Sequence, residues 1–290
     1  MGNSSEIHPF DIPNFPPELN NVPIWEYEKP PSFLPYFWFE KWDFLQWRVW
    51  LMQNWQLPFY VCIIYLLVIF QLENYMRTRK PLKLQKPLVL WNLVLAVFSL
   101  VGTFRIVPEM LKIVQSPGGF HVSVCNREGL NAPTAIWGVL FVLSKLVELG
   151  DSVFIVLRKQ PLIFLHWYHH SVALILAFEV FPYGEPIGRY YALMNYAVHS
   201  VMYSYYALKA MKVQISRKLS MVITSLQLLQ MMVGVWVNFY TLYAIHVLSV
   251  PCARERQSVQ LIAVIYGSFT FLFADFMYKA YFSSKKVKRS

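Results

Sequence analysis

The chain has 290 residues, of which 56% are hydrophobic and only 14% charged, with a mean hydropathy of +0.38. A soluble domain carries about 45–50% apolar and about 25% charged residues, so this composition excludes an ordinary soluble globule and points to lipid as the solvent for much of the surface. The net charge is +10, but the basic residues stand in short clusters between apolar runs, a pattern of positive-inside topology rather than of nucleic-acid binding.

The first 22 residues are polar and proline-bearing. They lack the basic start and apolar centre of a cleavable signal, so the first span is expected to direct insertion. They hold one glycosylation sequon, Asn3-Ser4-Ser5. Residues 23–56 are dense in aromatic side chains, from Trp25 and Tyr27 to Trp50 and Trp55. Such density suits a membrane interface; a plug on the end of the helical bundle is the alternative. Seven apolar segments then follow, at 57–75, 88–113, 134–157, 162–181, 189–211, 219–245 and 258–282. Each is long enough, or nearly so, for a hydrocarbon core of roughly 30 Å. The expected fold is therefore all-α and polytopic: a segment over 1–56, a membrane domain over 57–282 and a basic tail over 283–290.

Every second connection is basic. Arg77, Arg79, Lys80, Lys83 and Lys86 follow the first span, Arg158 and Lys159 the third, and Lys209, Lys212, Arg217 and Lys218 the fifth. Lys285, Lys286, Lys288 and Arg289 form the tail, which resembles a dilysine retrieval signal for the endoplasmic reticulum. These loops are expected in the cytosol, with the N-terminus lumenal and the C-terminus cytosolic. The basic rim would also attract a phosphate-bearing ligand such as a CoA thioester. Cys62 falls inside a span, whereas Cys125 and Cys252 fall in loops that the charge pattern makes lumenal, where a disulfide can form.

Ionisable groups within spans are expensive and mark function by default. The third segment has Lys145, Glu148, Asp151 and Ser152 at helical spacing, which predicts one face and a Lys145–Glu148 pair. A structural ion pair is the plain reading of it. In the fourth, His166, His169 and His170 stand at i, i+3 and i+4. In the fifth, Asn195, His199, Met202, Tyr203 and Tyr206 form one stripe. In the sixth, Thr224, Gln227 and Gln230 recur every three residues, as interhelical glue or as part of a site. At ~1.5 Å per residue, His169, His199, Gln227 and Asp151 all lie roughly 10–18 Å from the basic end. Four segments thus place polar groups in one layer of the cytosolic half.

Two chemistries suit clustered histidines in a membrane. A di-iron oxidase needs about eight; this chain has 7, and His8, His121 and His246 lie in or near lumenal segments. No metal is therefore expected. Acyl transfer needs one imidazole as nucleophile or base, with neighbours to orient it or to stabilise an oxyanion. A lipid transporter or a seven-helix receptor is the non-enzymatic alternative, although a cytosolic polar layer fits a receptor poorly.

Four motifs in order carry a resemblance: Lys145-x-x-Glu148-Leu149-x-Asp151-Ser152; His166-x-x-His169-His170; Asn195-x-x-x-His199-x-x-Met202-Tyr203-x-Tyr205-Tyr206; and Thr224-x-x-Gln227-x-x-Gln230. With them the chain resembles the ELO family of fatty-acid elongases over residues 57–282, and the run Phe164 to His170 looks like the branch that acts on saturated and monounsaturated chains. Ser152 stands where the family usually has threonine, so the hydroxyl is kept. The resemblance implies seven helices, six of them around an acyl tunnel closed at the lumenal end. It implies a very-long-chain 3-oxoacyl-CoA synthase that condenses acyl-CoA with malonyl-CoA and needs no cofactor. In that reading His169 accepts the acyl group, His199 stands beside it, and His166 and His170 orient it or exchange protons. Lys145, Glu148, Asp151, Asn195, Tyr203, Tyr206, Gln227 and Gln230 bind substrate. The expected partners are membrane lipid, a second copy of the chain and other enzymes of the elongation cycle.

Overall fold

In a computed structural model, the protein is described over residues 34–40, 44–127 and 131–283. Asn3, the first aromatic residues from Trp25 and the basic tail from Lys285 lie outside the described residues. The described elements are helical: α1 (Phe44–Gln53), α2 (Leu57–Met76), α3 (Gln85–Val114), α4 (Gly119–Cys125), α5 (Ala132–Glu148), α6 (Gly150–Leu157), α7 (Phe164–Val180), α8 (Gly188–Ala210), α9 (Arg217–His246) and α10 (Arg256–Met277). Short 3₁₀ turns lie at Trp38–Glu40 and Phe181–Tyr183, and a π turn at Tyr278–Phe282 prolongs α10.

Local sequence explains several helix starts. Pro58 stands in the first turn of α2, where its missing N–H costs nothing. Asn131 caps α5, its side chain accepting from the Thr134 amide at 3.0 Å. Ser216 caps α9 in the same way through the Leu219 amide.

Among the described residues four helices are long and apolar enough to cross a membrane: α2, α3, α9 and the run Arg256–Phe282. Most of their surface is unburied within the protein, and it is greasy: Ile63, Ile64 and Leu67 on α2, Leu90 and Phe104 on α3, Phe239 on α9, and Val264 and Phe271 on α10 are exposed. That surface suits lipid, not water, as expected of a multi-pass membrane protein.

The remaining segments differ from the sequence reading. The expected span 134–157 is not one helix: it breaks at Leu149 into α5, of 17 residues, and α6, of 8. Gly150 sits at the break because a side chain there would meet the Trp91 indole of α3 at 2.8 Å. α7 has only 17 residues. α8 has 23 but carries Asn195, His199 and Tyr203. In these segments a smaller share of the residues is exposed than on the four long apolar helices, so more of their side chains pack against one another.

Packing follows a closed order, in which α5 meets α7, α7 meets α10, α10 meets α9, α9 meets α8, α8 meets α3, and α3 returns to α5. α2 lies against α6 and α7. The α3–α8 contact is the most intimate, and Gly102 permits it: a methyl there would strike the Tyr196 ring at 2.8 Å.

The basic connections gather at one end. Lys159 Nζ donates to the carbonyls of Arg77 and Arg79, and Arg217 reaches the carbonyls of Ala280 and Tyr281. At the opposite end Cys125 and Cys252 form a disulfide, and the Ala253 amide donates to the Cys125 carbonyl at 2.8 Å. The described part of the aromatic N-terminal region packs on that end, so the plug reading holds for its inner face. Leu51 and Glu40 are buried, and Arg48 Nε donates to the Pro182 carbonyl at 2.6 Å. On its outer face Trp38, Trp50 and Trp55 are exposed.

Candidate functional site

The site is assembled from α5, α6, α7, α8 and α9, with support from α2 and α3. Lys145 of α5 donates to Glu148 Oε1 at 2.7 Å and to Asn195 Oδ1 of α8 at 2.8 Å. Ser144 adds a third polar contact, its Oγ donating to Glu148 Oε1 at 3.0 Å. The Asn195 amide in turn donates to His199 Nε2 at 3.1 Å. That bond leaves Nδ1 to carry the ring proton, and Nδ1 faces Glu148 Oε1 at 3.6 Å. Lys145 thus bonds both Glu148 and, through Asn195, His199, whose Nδ1 comes back to within 3.6 Å of Glu148. All four are buried, and these contacts compensate the cost of burying their charges.

Asp151 and Ser152 stand at the start of α6, one turn beyond Glu148; Leu149 between the two helices keeps a right-handed helical backbone. Asp151 Oδ1 accepts from the Trp91 indole at 2.6 Å, and Oδ2 accepts from Tyr203 at 2.8 Å. His170 Nε2 stands 3.9 Å from Asp151 Oδ2. Ser152 joins His166 Nε2, at 3.0 Å, to the Tyr65 hydroxyl of α2. Trp91 and Tyr65 were not legible as site residues, because each stands in a largely apolar stretch where an aromatic ring reads as packing.

The three histidines of α7 cluster as their spacing predicts. The rings of His166 and His170 are 4.4 Å apart, and those of His169 and His170 5.6 Å. His169 differs from its neighbours. Its ring packs against Phe269 and Phe273 of α10, at 4.8 and 5.7 Å, and no polar side chain among the described residues bonds to it. Tyr203 packs on the His199 ring at 5.3 Å. Gln227 donates to the Met202 sulfur, and Gln230 is buried beside it.

Two cavities meet here. The larger, about 480 Å³, is the more polar of the two and reaches the basic end; Arg158, His166, His170, Tyr206, Lys209 and Gln227 stand on its wall. The smaller, about 150 Å³, runs toward the disulfide end between apolar walls that include Ala173, Ala177 and Phe181. His169, Asn195, Gln230 and Met231 line both. Among the described residues no three His, Cys, Asp or Glu side chains gather closely enough to hold a metal ion. Cys125 and Cys252 lie at the far end, away from this chemistry.

The chain is similar to named fatty acid elongases over most of its length. Over 259 residues the chain is 45% identical to very long chain fatty acid elongase 6 of Drosophila melanogaster, covering 87% of this chain and 80% of that one. It is 41% identical over 239 residues to very long chain fatty acid elongase 3 of Mus musculus, covering 82% and 87%. It is 40% identical over 233 residues to very long chain fatty acid elongase 6 of Homo sapiens, covering 80% and 87%. The profile of the ELO family, described as the GNS1/SUR4 family, matches residues 50–289. The helices that carry the histidine cluster all lie within that match, and the chain belongs to the ELO family.

Proposed function

We propose that this protein is a condensing enzyme of very-long-chain fatty-acid elongation, a 3-oxoacyl-CoA synthase that joins a long-chain acyl-CoA to malonyl-CoA. One observation carries the reading: His169, with no polar side-chain partner among the described residues, lines both the more polar cavity at the basic end and the apolar one behind it. A CoA thioester has the same division, a phosphate-rich head and an apolar chain, with the reactive carbonyl between them. The basic wall of the larger cavity, with Arg158 and Lys209, suits the head. The apolar cavity suits the chain, and the closed order of α3, α5, α7, α8, α9 and α10 surrounds it.

The chemistry runs in two halves. The His169 ring attacks the thioester carbonyl, the C–S bond breaks, and the CoA thiolate takes the proton that the ring gives up. Malonyl-CoA then loses carbon dioxide. The electron pair left on its α-carbon attacks the acyl carbonyl, the C–N bond breaks, and a proton from solvent restores the ring. The products are 3-oxoacyl-CoA, carbon dioxide and CoA. His199, held by Asn195 and Glu148, and His170, facing Asp151, are placed to pass protons; Gln230 and Asn195 present amides beside the reacting carbonyl. No cofactor takes part in this scheme.

In the same reading α5–α6, α7 and α8 also cross the membrane, giving seven spans. The disulfide end is lumenal and the basic end cytosolic, in the endoplasmic reticulum; a disulfide opposite the basic loops supports that orientation. Self-association and association with other elongation-cycle enzymes fit the same placement. The test is trapping. Purified protein given labelled acyl-CoA without malonyl-CoA should acquire one acyl group on His169, read by peptide mass spectrometry, and release it on addition of malonyl-CoA. Transfer to malonyl-CoA with no enzyme-bound acyl group at any stage would overturn the acyl-histidine route.

A further inference from the structure

The apolar cavity has an end, and the residues that form it are specific. From His169 it follows α7 for roughly 16 Å, at ~1.5 Å per residue, to Val180, where the 3₁₀ turn Phe181–Tyr183 closes over it. Phe181, Gly184, Glu185, Gly188 and Arg189 form the far wall.

Two glycines there behave in opposite ways. Gly138 of α5 is filled from outside: a methyl on it would meet the Phe181 ring at 2.4 Å. It is the seat that lets the Phe181 ring lie back against α5. Gly188, at the first turn of α8, is unfilled: a methyl on it would meet nothing within 4 Å. Its backbone lies outside the left-handed region, so a larger residue is tolerated there, and its side chain would project into the cavity.

Behind the wall the structure is rigid. The Glu185 carboxylate accepts from Arg254 Nε at 2.9 Å and from the Glu255 amide at 2.7 Å. Arg254 is held further by Thr241 and Asn238, and the disulfide ties the preceding residue pair to α4. Beyond Phe181 the packing is softer and apolar, through Ala135, Val139 and Trp47 of α1. The floor therefore has one hard side and one that a smaller side chain would open.

We propose that Gly188 and Phe181 set the longest acyl chain the protein accepts, Gly188 by leaving the last part of the cavity empty and Phe181 by closing it. This rests on the elongase reading above. The experiment is a malonyl-incorporation assay in membranes across a ladder of saturated acyl-CoA lengths, comparing the unmodified protein with Gly188→Leu and Phe181→Ala. One methylene in an apolar pocket discriminates by about 10-fold to 200-fold. Gly188→Leu should therefore lower the ratio of incorporation from the longest accepted chain to that from the shortest by at least about 10-fold. Phe181→Ala should move the ratio the other way and admit a longer chain.

If either larger change prevents folding, Gly188→Ala and Phe181→Leu carry the same test with smaller shifts of the same signs. An active protein whose length profile is the same in all variants overturns this inference and leaves the elongase reading intact. Failure of the unmodified protein to incorporate malonyl units with any chain overturns the elongase reading itself.

Discussion

The protein buries charge at both ends of its bundle, and the two ends use it differently. At the disulfide end Glu40 and Glu185 are each closely matched. Glu40 accepts from Arg105 Nε and Nη2 at 2.8 and 2.6 Å, from the Trp137 indole at 2.7 Å and from the Phe37 amide at 2.8 Å. Glu185 is held as tightly by Arg254, and Arg189 Nε faces Glu109 at 3.3 Å. These pairs are sealed by side chains. At the histidine end the contacts are looser and face a cavity. His199 stands 3.6 Å from Glu148, His170 stands 3.9 Å from Asp151, and His169 has no polar partner among the described residues. Buried charge is tolerated in both places, but only the matched set is built to stay still. The incomplete set leaves imidazole nitrogens free to meet a substrate.

Substitutions can break this contrast from either side. The largest effect is expected for His169→Ala. Loss of a nucleophile should lower malonyl incorporation by more than about a thousandfold, at least about 4 kcal/mol of barrier, while the thermal midpoint in detergent stays near that of the unmodified protein. Retained turnover would move the nucleophile elsewhere in the cluster. Glu40→Ala should do the reverse. Arg105 and Trp137 would keep buried donors with no acceptor, a loss of about 3–5 kcal/mol of stability for a broken buried pair. Thermal unfolding should show the drop, and turnover per folded molecule should persist. If Glu40→Ala removed turnover from a folded protein, the disulfide end would not be merely structural.

Much of this contrast is visible in the sequence, though unevenly. The histidine spacing on α7 and the stripe on α8 follow from helical geometry alone, and both reach the site. The basic loops likewise define one end. What stays hidden depends on tertiary choice. Seven apolar runs do not reveal the interruption of 134–157 at Leu149, nor that Gly150 beside it makes room for the Trp91 ring of a different helix. Trp91 and Tyr65 are invisible as site residues because an aromatic in an apolar helix is ordinarily lipid-facing or packed. Arg105 and Glu109 stand at the i, i+4 spacing of a pair within one helix, yet their partners are Glu40 and Arg189, far away in the chain. Local pattern registers what one helix does to itself and misses what two helices do to each other.

Two changes sharpen the histidine end. Trp91→Phe keeps the ring but removes a donor from Asp151, leaving Tyr203 as its remaining close partner. A hydrogen bond to a charged group contributes about 1.5–3 kcal/mol, so turnover should fall about tenfold to a hundredfold if Asp151 must be held for His170. The effect should shrink in an Asp151→Asn background, where the charge is already gone. An equal effect in both backgrounds would mean that Trp91 acts by packing.

The smallest expected effect is the most discriminating. Tyr65 reaches the site from α2, which lies against α6 and α7, and touches the chemistry only through Ser152 and then His166. Tyr65→Phe removes one hydroxyl and little volume. A neutral hydrogen bond contributes about 1 kcal/mol, which corresponds to roughly a fivefold fall in turnover. Ser152→Ala alone should cost somewhat more, since it strips His166 of its polar partner. If the three groups act as one chain, the double variant should be no worse than Ser152→Ala, because Tyr65 then has nothing left to orient. Additive losses would show that the hydroxyl of α2 matters to packing alone. In that case the incomplete pairing of the site would stop at Ser152, without reaching α2.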